Sequence, residues 1–193
     1  MARIIAPVLV ALLAAANPAA ARILVIGDSN ALGTGVPPQW AWTTILQRSL
    51  DVMVQVYGAP GMSVGSKFGV GQNDQCILND IGLFRPKVAI FALGTNDLST
   101  TPDDLRSATR ATLAAVPGRW ICITPPHIRG NDAALDPVRA VITEECTAID
   151  AVVIDGARLF GDADLTDNTH LNRGGHLKLA RAVTRVARTM GVR

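Results

Sequence analysis

The sequence predicts an α/β fold in which a parallel sheet of five strands carries helices on both faces. Three observations predict it. Short apolar runs recur at residues 23–26, 52–57, 87–93, 119–124 and 151–154, bounded by glycine, proline or short polar turns. The first and third runs are apolar almost throughout, the pattern of strands buried on both faces. Between the runs lie longer segments with apolar residues at helical spacing, so strands alternate with helices as in βαβ units. The 193 residues suffice for one domain with a substantial core, and no internal repeat divides them.

The elements follow in order. The first strand, 23–26, stops at Gly27-Asp28-Ser29. Pro37-Pro38 opens a helix to about Leu50, with Trp42, Ile45, Leu46 and Leu50 on one stripe. The second strand ends at Gly58-Ala59-Pro60-Gly61, a turn. Residues 62–72 are rich in Gly and Ser without periodicity and read as a loop; 74–84 reads as an irregular helix weakened by Gly82. The third strand stops at Gly94-Thr95-Asn96-Asp97. Thr101-Pro102-Asp103-Asp104 is a helix start: a capping hydroxyl, proline at the first position, and acids at the positive end of the dipole. Pro117-Gly118 ends that helix. The fourth strand runs into Pro125-Pro126-His127, and Asp136-Pro137 opens the next helix, with Val138, Val141, Ile142, Cys146 and Ile149 on one face. After the fifth strand a polar loop, 161–172, leads to a last helix with Leu177, Ala180, Val183, Val186, Ala187 and Met190 at helical spacing, ending at Gly191.

Composition excludes several classes. With 49% hydrophobic and 18% charged residues the chain is globular, not disordered. Net charge is +2 with dispersed basic residues, so no nucleic-acid surface is expected. Residues 1–21 read as a signal peptide: Met1-Ala2-Arg3 is a positive start, 4–16 is apolar, and Ala19-Ala20-Ala21 supplies small residues for cleavage. The apolar run is short beside the roughly 20 residues of a membrane span, so no stable span is expected. A single mature domain, 22–193, is then secreted or periplasmic. The three cysteines, Cys76, Cys122 and Cys146, match no metal spacing. Cys122 in a strand and Cys146 on an apolar helix face read as small buried hydrophobes, although export would permit one oxidised pair. No cysteine reads as a nucleophile.

The polar punctuation gathers beyond the carboxyl ends of the strands. Ser29 follows the first, Gly61 the second and Asn96 the third; Asp167 and His170 precede the last helix. With strand order 2-1-3-4-5, the first and third strands flank the topological switch point, and Ser29 and Asn96 face one crevice. Each block alone is only a turn signal, since Gly, Asp, Asn and Ser all serve turns. Together and in this order, Gly27-Asp28-Ser29, Gly61, Gly94-Thr95-Asn96-Asp97 and Asp167-Asn168-Thr169-His170 resemble the four signature blocks of the SGNH (GDSL-type) hydrolases, a likeness spanning roughly residues 22–190. The resemblance implies a flavodoxin-like, three-layer α/β/α sandwich and serine ester hydrolysis. It implies Ser29 as nucleophile, His170 as general base and Asp167 as the acid that orients it. It also implies an oxyanion hole of the Ser29 N–H, the Gly61 N–H and the Asn96 side-chain amide.

The chemistry asks for these residue types independently. A serine hydroxyl needs a base to take its proton, and imidazole titrates near neutrality. A carboxylate fixes the imidazole tautomer and stabilises the imidazolium. An Asp three residues before its His reaches the second ring nitrogen within one loop. His176, inside the last helix, and Asp164 are the competing base and acid. His127 is a candidate pocket-lining residue, Asp28 and Asp97 read as structural hydrogen-bonders, and Lys67 reads as solvated. Asn30 stands where the family's commonest form has leucine, and a polar residue there would suit a sugar ester.

The expected activity is hydrolysis of a carboxylic ester (a short acyl ester, a lysophospholipid or an O-acetylated carbohydrate) through an acyl-Ser29 intermediate, without metal or organic cofactor. The alternative is a non-catalytic protein that binds a glycan or acyl ligand on the same fold, which has no need of all five residues. No Gly-x-Gly-x-x-Gly or P-loop follows the first strand, so a nucleotide site is not expected.

Overall fold

The computed structural model of the chain describes residues 22–64 and 84–192. The expected leader 1–21, Lys67, Cys76, most of the loop 62–72 and nearly all of the helix expected over 74–84 lie outside the described residues.

Five strands, β1 (Arg22–Gly27), β2 (Met53–Gly58), β3 (Val88–Ala92), β4 (Arg119–Ile123) and β5 (Val152–Ile154), form one sheet in the order β2-β1-β3-β4-β5. Every neighbouring pair is parallel. The helices are α1 (Ser29–Leu32), α2 (Trp42–Leu50), α3 (Pro102–Ala115), α4 (Asp136–Thr147), α5 (Gly156–Leu159) and α6 (Arg173–Thr189).

Strand periodicity divides the core in two. Ile23 and Val25 of β1, Val88 and Ile90 of β3, and Ile121 and Ile123 of β4 face one way, against Trp42, Leu46 and Leu50 of α2 and Leu179, Val183 and Ala187 of α6. Leu24, Ile26, Ala89, Phe91, Trp120 and Cys122 face the other way, against Leu105 and Leu113 of α3 and Val138, Val141 and Ile142 of α4. Both faces of the central strands are therefore covered, which is why their sequences read as unbroken apolar runs. Each fully buried side chain of this size stabilises by roughly 1.5–3 kcal/mol.

The structure departs from the sequence-based expectations in several places. Pro38–Trp40 forms a separate 3-10 turn, and α2 begins only at Trp42. Ser29 does not merely end a strand: it opens α1, whose N-cap Asp28 accepts the Asn30 N–H at 2.9 Å. The short helix α5 is an element the sequence pattern does not announce. Its glycine packs where a Cβ would lie 2.2 Å from the Thr124 carbonyl oxygen. Finally, Cys122 and Cys146 are not free hydrophobes but a disulfide joining β4 to α4 across the second core, with Cα atoms 6.4 Å apart. Their separation lies within disulfide reach only because the helix packs on that strand.

The polar loop before α6 is moored to the segment after β4. His127 Nε2 lies 2.7 Å from Asp162 Oδ1, and its Nδ1 lies 3.3 Å from Asp132 Oδ2. The Arg129 N–H donates to the Asn168 carbonyl at 2.9 Å. Arg139, buried, donates to the Pro125 and Pro126 carbonyls at 3.0 and 2.8 Å and also pairs with Asp132. On the other side, the Arg173 guanidinium stacks over Trp40 at 3.5 Å.

Removing the disulfide as Cys122→Ala/Cys146→Ala should cost about 3 kcal/mol, the chain-entropy value for a loop of this length. A thermal melt should fall by about 6–12 °C for a chain of this size. A second expectation concerns His127, whose pKa the Asp162 carboxylate, then Asp132, raises above the ordinary 6.5. The stability it contributes is fully present below that ordinary value and fades as pH rises through the higher folded value. The melting deficit of His127→Gln should therefore be larger near pH ~5.5 than near pH ~8.5.

Candidate active site

The crevice lies beyond the carboxyl ends of β1 and β3, where the strand order reverses direction. β1 delivers Ser29 there on the first turn of α1, and Ser29 keeps 8% of its surface exposed. The loop after Phe160 delivers Asp167 and His170. His170 Nε2 lies 3.1 Å from Ser29 Oγ, across 141 residues of sequence. His170 Nδ1 lies 2.7 Å from Asp167 Oδ2. A carboxylate at Asp167 can only accept, so Nδ1 carries the proton and Nε2 is left to accept from the serine hydroxyl.

Asp167 is held locally as well. Its Oδ1 accepts the Thr169 and His170 backbone N–H groups, both at 2.7 Å. This is an Asx turn, the local reason for an Asp three residues before the His. These N–H donors and the imidazole, with the His170 backbone N–H the largest influence, hold its carboxyl down at about 2 against an ordinary 3.8. The group is anionic throughout the neutral range.

Asp28 is the opposite case. It is 1% exposed, and burial pushes its carboxyl up to about 6, while the Asn30 N–H and the Thr95 hydroxyl work to lower it. Its bonds to α1 and to the turn after β3 make it a brace between the two strand ends. A cavity of about 20 Å³ touches Asp28, Asn30, Thr95 and Thr124. It has room for about one water.

Gly61 and Asn96 form the second part of the site. Gly61 adopts φ +74°, a conformation that disfavours any side chain, and its Cα faces open space. The Asn96 side-chain Nδ2 donates to the Met62 carbonyl at 2.9 Å, which ties the turn after β3 to the turn after β2. One proton of that amide remains to point elsewhere. Asp97 fixes this pair of turns from behind, accepting the Val64 N–H at 2.9 Å and the Thr100 hydroxyl at 3.1 Å.

The competing residues are placed elsewhere. His176 is fully buried; its Nδ1 accepts the Trp42 N–H at 3.3 Å, and burial holds its pKa down at about 4. Asp164 pairs with Lys178 at 2.7 Å and accepts the Gly161 N–H. His127 is held between Asp132 and Asp162, which engage both of its ring nitrogens. Among the described residues no cluster of His, Cys, Asp and Glu could hold a metal, and no helix is long and apolar enough to cross a membrane.

Asn30 has a part in the site that its sequence position does not reveal. Its side chain, buried with the residue 7% exposed, accepts the Leu171 N–H at 3.0 Å and donates to the Thr169 carbonyl at 3.3 Å. Its sequence signal is a polar residue where the family's commonest form has leucine.

Solved structures share this fold. The chain superposes on a carbohydrate acetylesterase family member from Sinorhizobium meliloti with TM-score 0.72 and 16% identity, covering 88% of this chain and 98% of that one. For the native aryl esterase of M. smegmatis the values are 0.73 and 19%, with 89% and 100% covered. For a family two carbohydrate esterase from Clostridium thermocellum in complex with cellohexaose they are 0.71 and 18%, with 90% and 65% covered. No curated protein matches the chain by sequence. The family model for the GDSL-like lipase/acylhydrolase family matches residues 25–180, a span holding every residue of the crevice from Ser29 to His170. The chain therefore belongs to the GDSL-like lipase/acylhydrolase family and is a carboxylic ester hydrolase.

Proposed function

We propose that the protein is a serine esterase acting on a short acyl ester, with an O-acetylated carbohydrate as its first candidate substrate. The observation that carries the mechanism is the unbroken hydrogen-bonded line from Asp167 through His170 to Ser29. The carbohydrate esterases among the structural neighbours support the substrate class.

In this mechanism Ser29 Oγ attacks the ester carbonyl as its proton passes to His170 Nε2. Asp167, anionic and bound at Nδ1, stabilises the imidazolium. Negative charge collects on the former carbonyl oxygen, where the N–H groups of Ser29 and Gly61 and the second proton of the Asn96 amide receive it. Collapse breaks the bond to the alcohol oxygen, which leaves with the proton from His170. Water then adds to the acyl-Ser29 ester, giving its proton to His170. Expulsion of Ser29 Oγ, reprotonated from His170, releases the carboxylic acid. Nothing in these steps requires a metal or an organic cofactor.

Export is part of the proposal. The leader-like residues 1–21 and the disulfide at Cys122–Cys146 both suit an oxidising compartment outside the cytoplasm.

Hydrolysis of p-nitrophenyl esters from acetate to palmitate tests the proposed activity. The rate should be highest for acetate and should fall to near background in Ser29→Ala. A fluorophosphonate should label the parent and not that variant; a protein that only binds its ligand would take no label. Asp167→Asn should lower kcat by up to about 10⁴, because the imidazole loses its tautomer restraint. Asn96→Ala should lower it by about 10²–10³, the usual cost of one oxyanion donor. Equal rates in parent and Ser29→Ala would remove Ser29 as nucleophile.

A further inference from the structure

We propose that Asn30 is the positioning residue for the base: its side-chain amide clasps the peptide groups on both sides of His170 and so sets the imidazole over Ser29. The inference rests on the proposed roles of Ser29 and His170 and goes beyond them.

The geometry is specific. The Thr169 carbonyl belongs to the peptide entering His170, and the Leu171 N–H to the peptide leaving it. Asn30 bonds both, one through Nδ2 at 3.3 Å and one through Oδ1 at 3.0 Å. A side-chain amide has one face of donors and one of acceptors, so it can pair with a backbone segment as a neighbouring strand would. No aliphatic residue can do this.

The other anchors of the loop lie on other elements. Its own bonds, Thr166 N–H to the His170 carbonyl at 2.8 Å and Asn172 N–H to the Asp164 carbonyl at 2.7 Å, fix its shape, Leu165 and Leu171 pack in the core, and Asp164 pairs with Lys178 of α6. Its ties through Asp162 and Asn168 reach the segment after β4 rather than the segment that carries Ser29. Among the described residues, the hydrogen bonds between segments 28–36 and 161–172 are the two from Asn30 and the Ser29–His170 contact itself. Gly35 adds steric closeness, since a Cβ there would lie 2.8 Å from Thr166 Cγ2 and 3.1 Å from the Leu171 carbonyl oxygen. Asn30 is in turn fixed from its backbone, where its N–H is bound by the Asp28 carboxyl. The residue next to the nucleophile thus carries the register of the base. Small displacements of a catalytic group cost rate steeply, so the clasp should act on kcat rather than on substrate binding.

The test compares Asn30→Leu, which fills similar space without donor or acceptor, with Asn30→Asp, which keeps the shape and the acceptor for Leu171. Kinetics with p-nitrophenyl acetate are measured well below the melting temperature of each variant, with near-UV circular dichroism as the check on folding. Asn30→Leu should lower kcat by about 10–100-fold, with KM within about two-fold of the parent. The rate of fluorophosphonate labelling should fall in proportion, and Asn30→Asp should lose less. The decisive readout is the cycle with His170→Ala: a residue acting through His170 should give a much smaller loss once the imidazole is gone. An equal fold-loss in both backgrounds would overturn the proposal, as would a parent-like kcat in folded Asn30→Leu. If Asn30→Leu fails to fold, the same cycle run with Asn30→Asp decides. The two levels separate cleanly: a His170→Ala variant with parent activity would refute the base itself. An inactive His170→Ala beside parent-like Asn30 variants would refute only the clasp.

Discussion

A single contact, the 3.1 Å approach of His170 Nε2 to Ser29 Oγ, makes demands on nearly every other part of this molecule. Its two partners come from opposite ends of the described chain. A hydrogen bond of that kind is worth little by itself against the entropy of ordering two chain segments. It exists because the burial of apolar side chains has already placed both. β1 is buried on both faces between the helical layers, so the start of α1 is set by a strand packed on both sides. α6 lies on the same layer as α2, and its N-terminus brings the loop 161–172 to the same edge of the sheet. The Ser29–His170 contact is an outcome of sheet order and helix packing, completed by local hydrogen bonds.

The carboxylates around the crevice show how environment divides one chemical group among several tasks. Asp28 is sealed under the turn of α1, and burial raises it to about 6. Asp167 stands at the surface with two backbone N–H groups and an imidazole, and is lowered to about 2. The first serves as a brace and the second as a permanent negative charge. The histidines divide in the same way. His176 is buried and held neutral, His127 is held between two carboxylates, and His170 alone reaches the serine.

The mooring of the loop is distributed. His127 and Arg129 hold it from the β4 side, Asn30 from the α1 side, and Arg173 stacks on Trp40 at its far end. The disulfide strengthens the opposite layer, fixing α4 to β4 and with it the segment that carries His127.

The alternation of strands and helices, and the polar punctuation at strand ends, were legible in the sequence because both are local. Burial on both faces writes unbroken apolar runs, helices write a period of 3.6, and turns require Gly, Asp, Asn or Pro. The Asp167–His170 pair was legible for the same reason, since three residues of spacing fit one Asx turn. The Cys122–Cys146 bond, the double engagement of His127 and the clasp of Asn30 were not. Each depends on a distance between segments that no periodicity reports. An asparagine beside Ser29 reads in sequence as a substitution for leucine. Only the packing of the last loop against α1 decides that its amide meets the two peptides around His170.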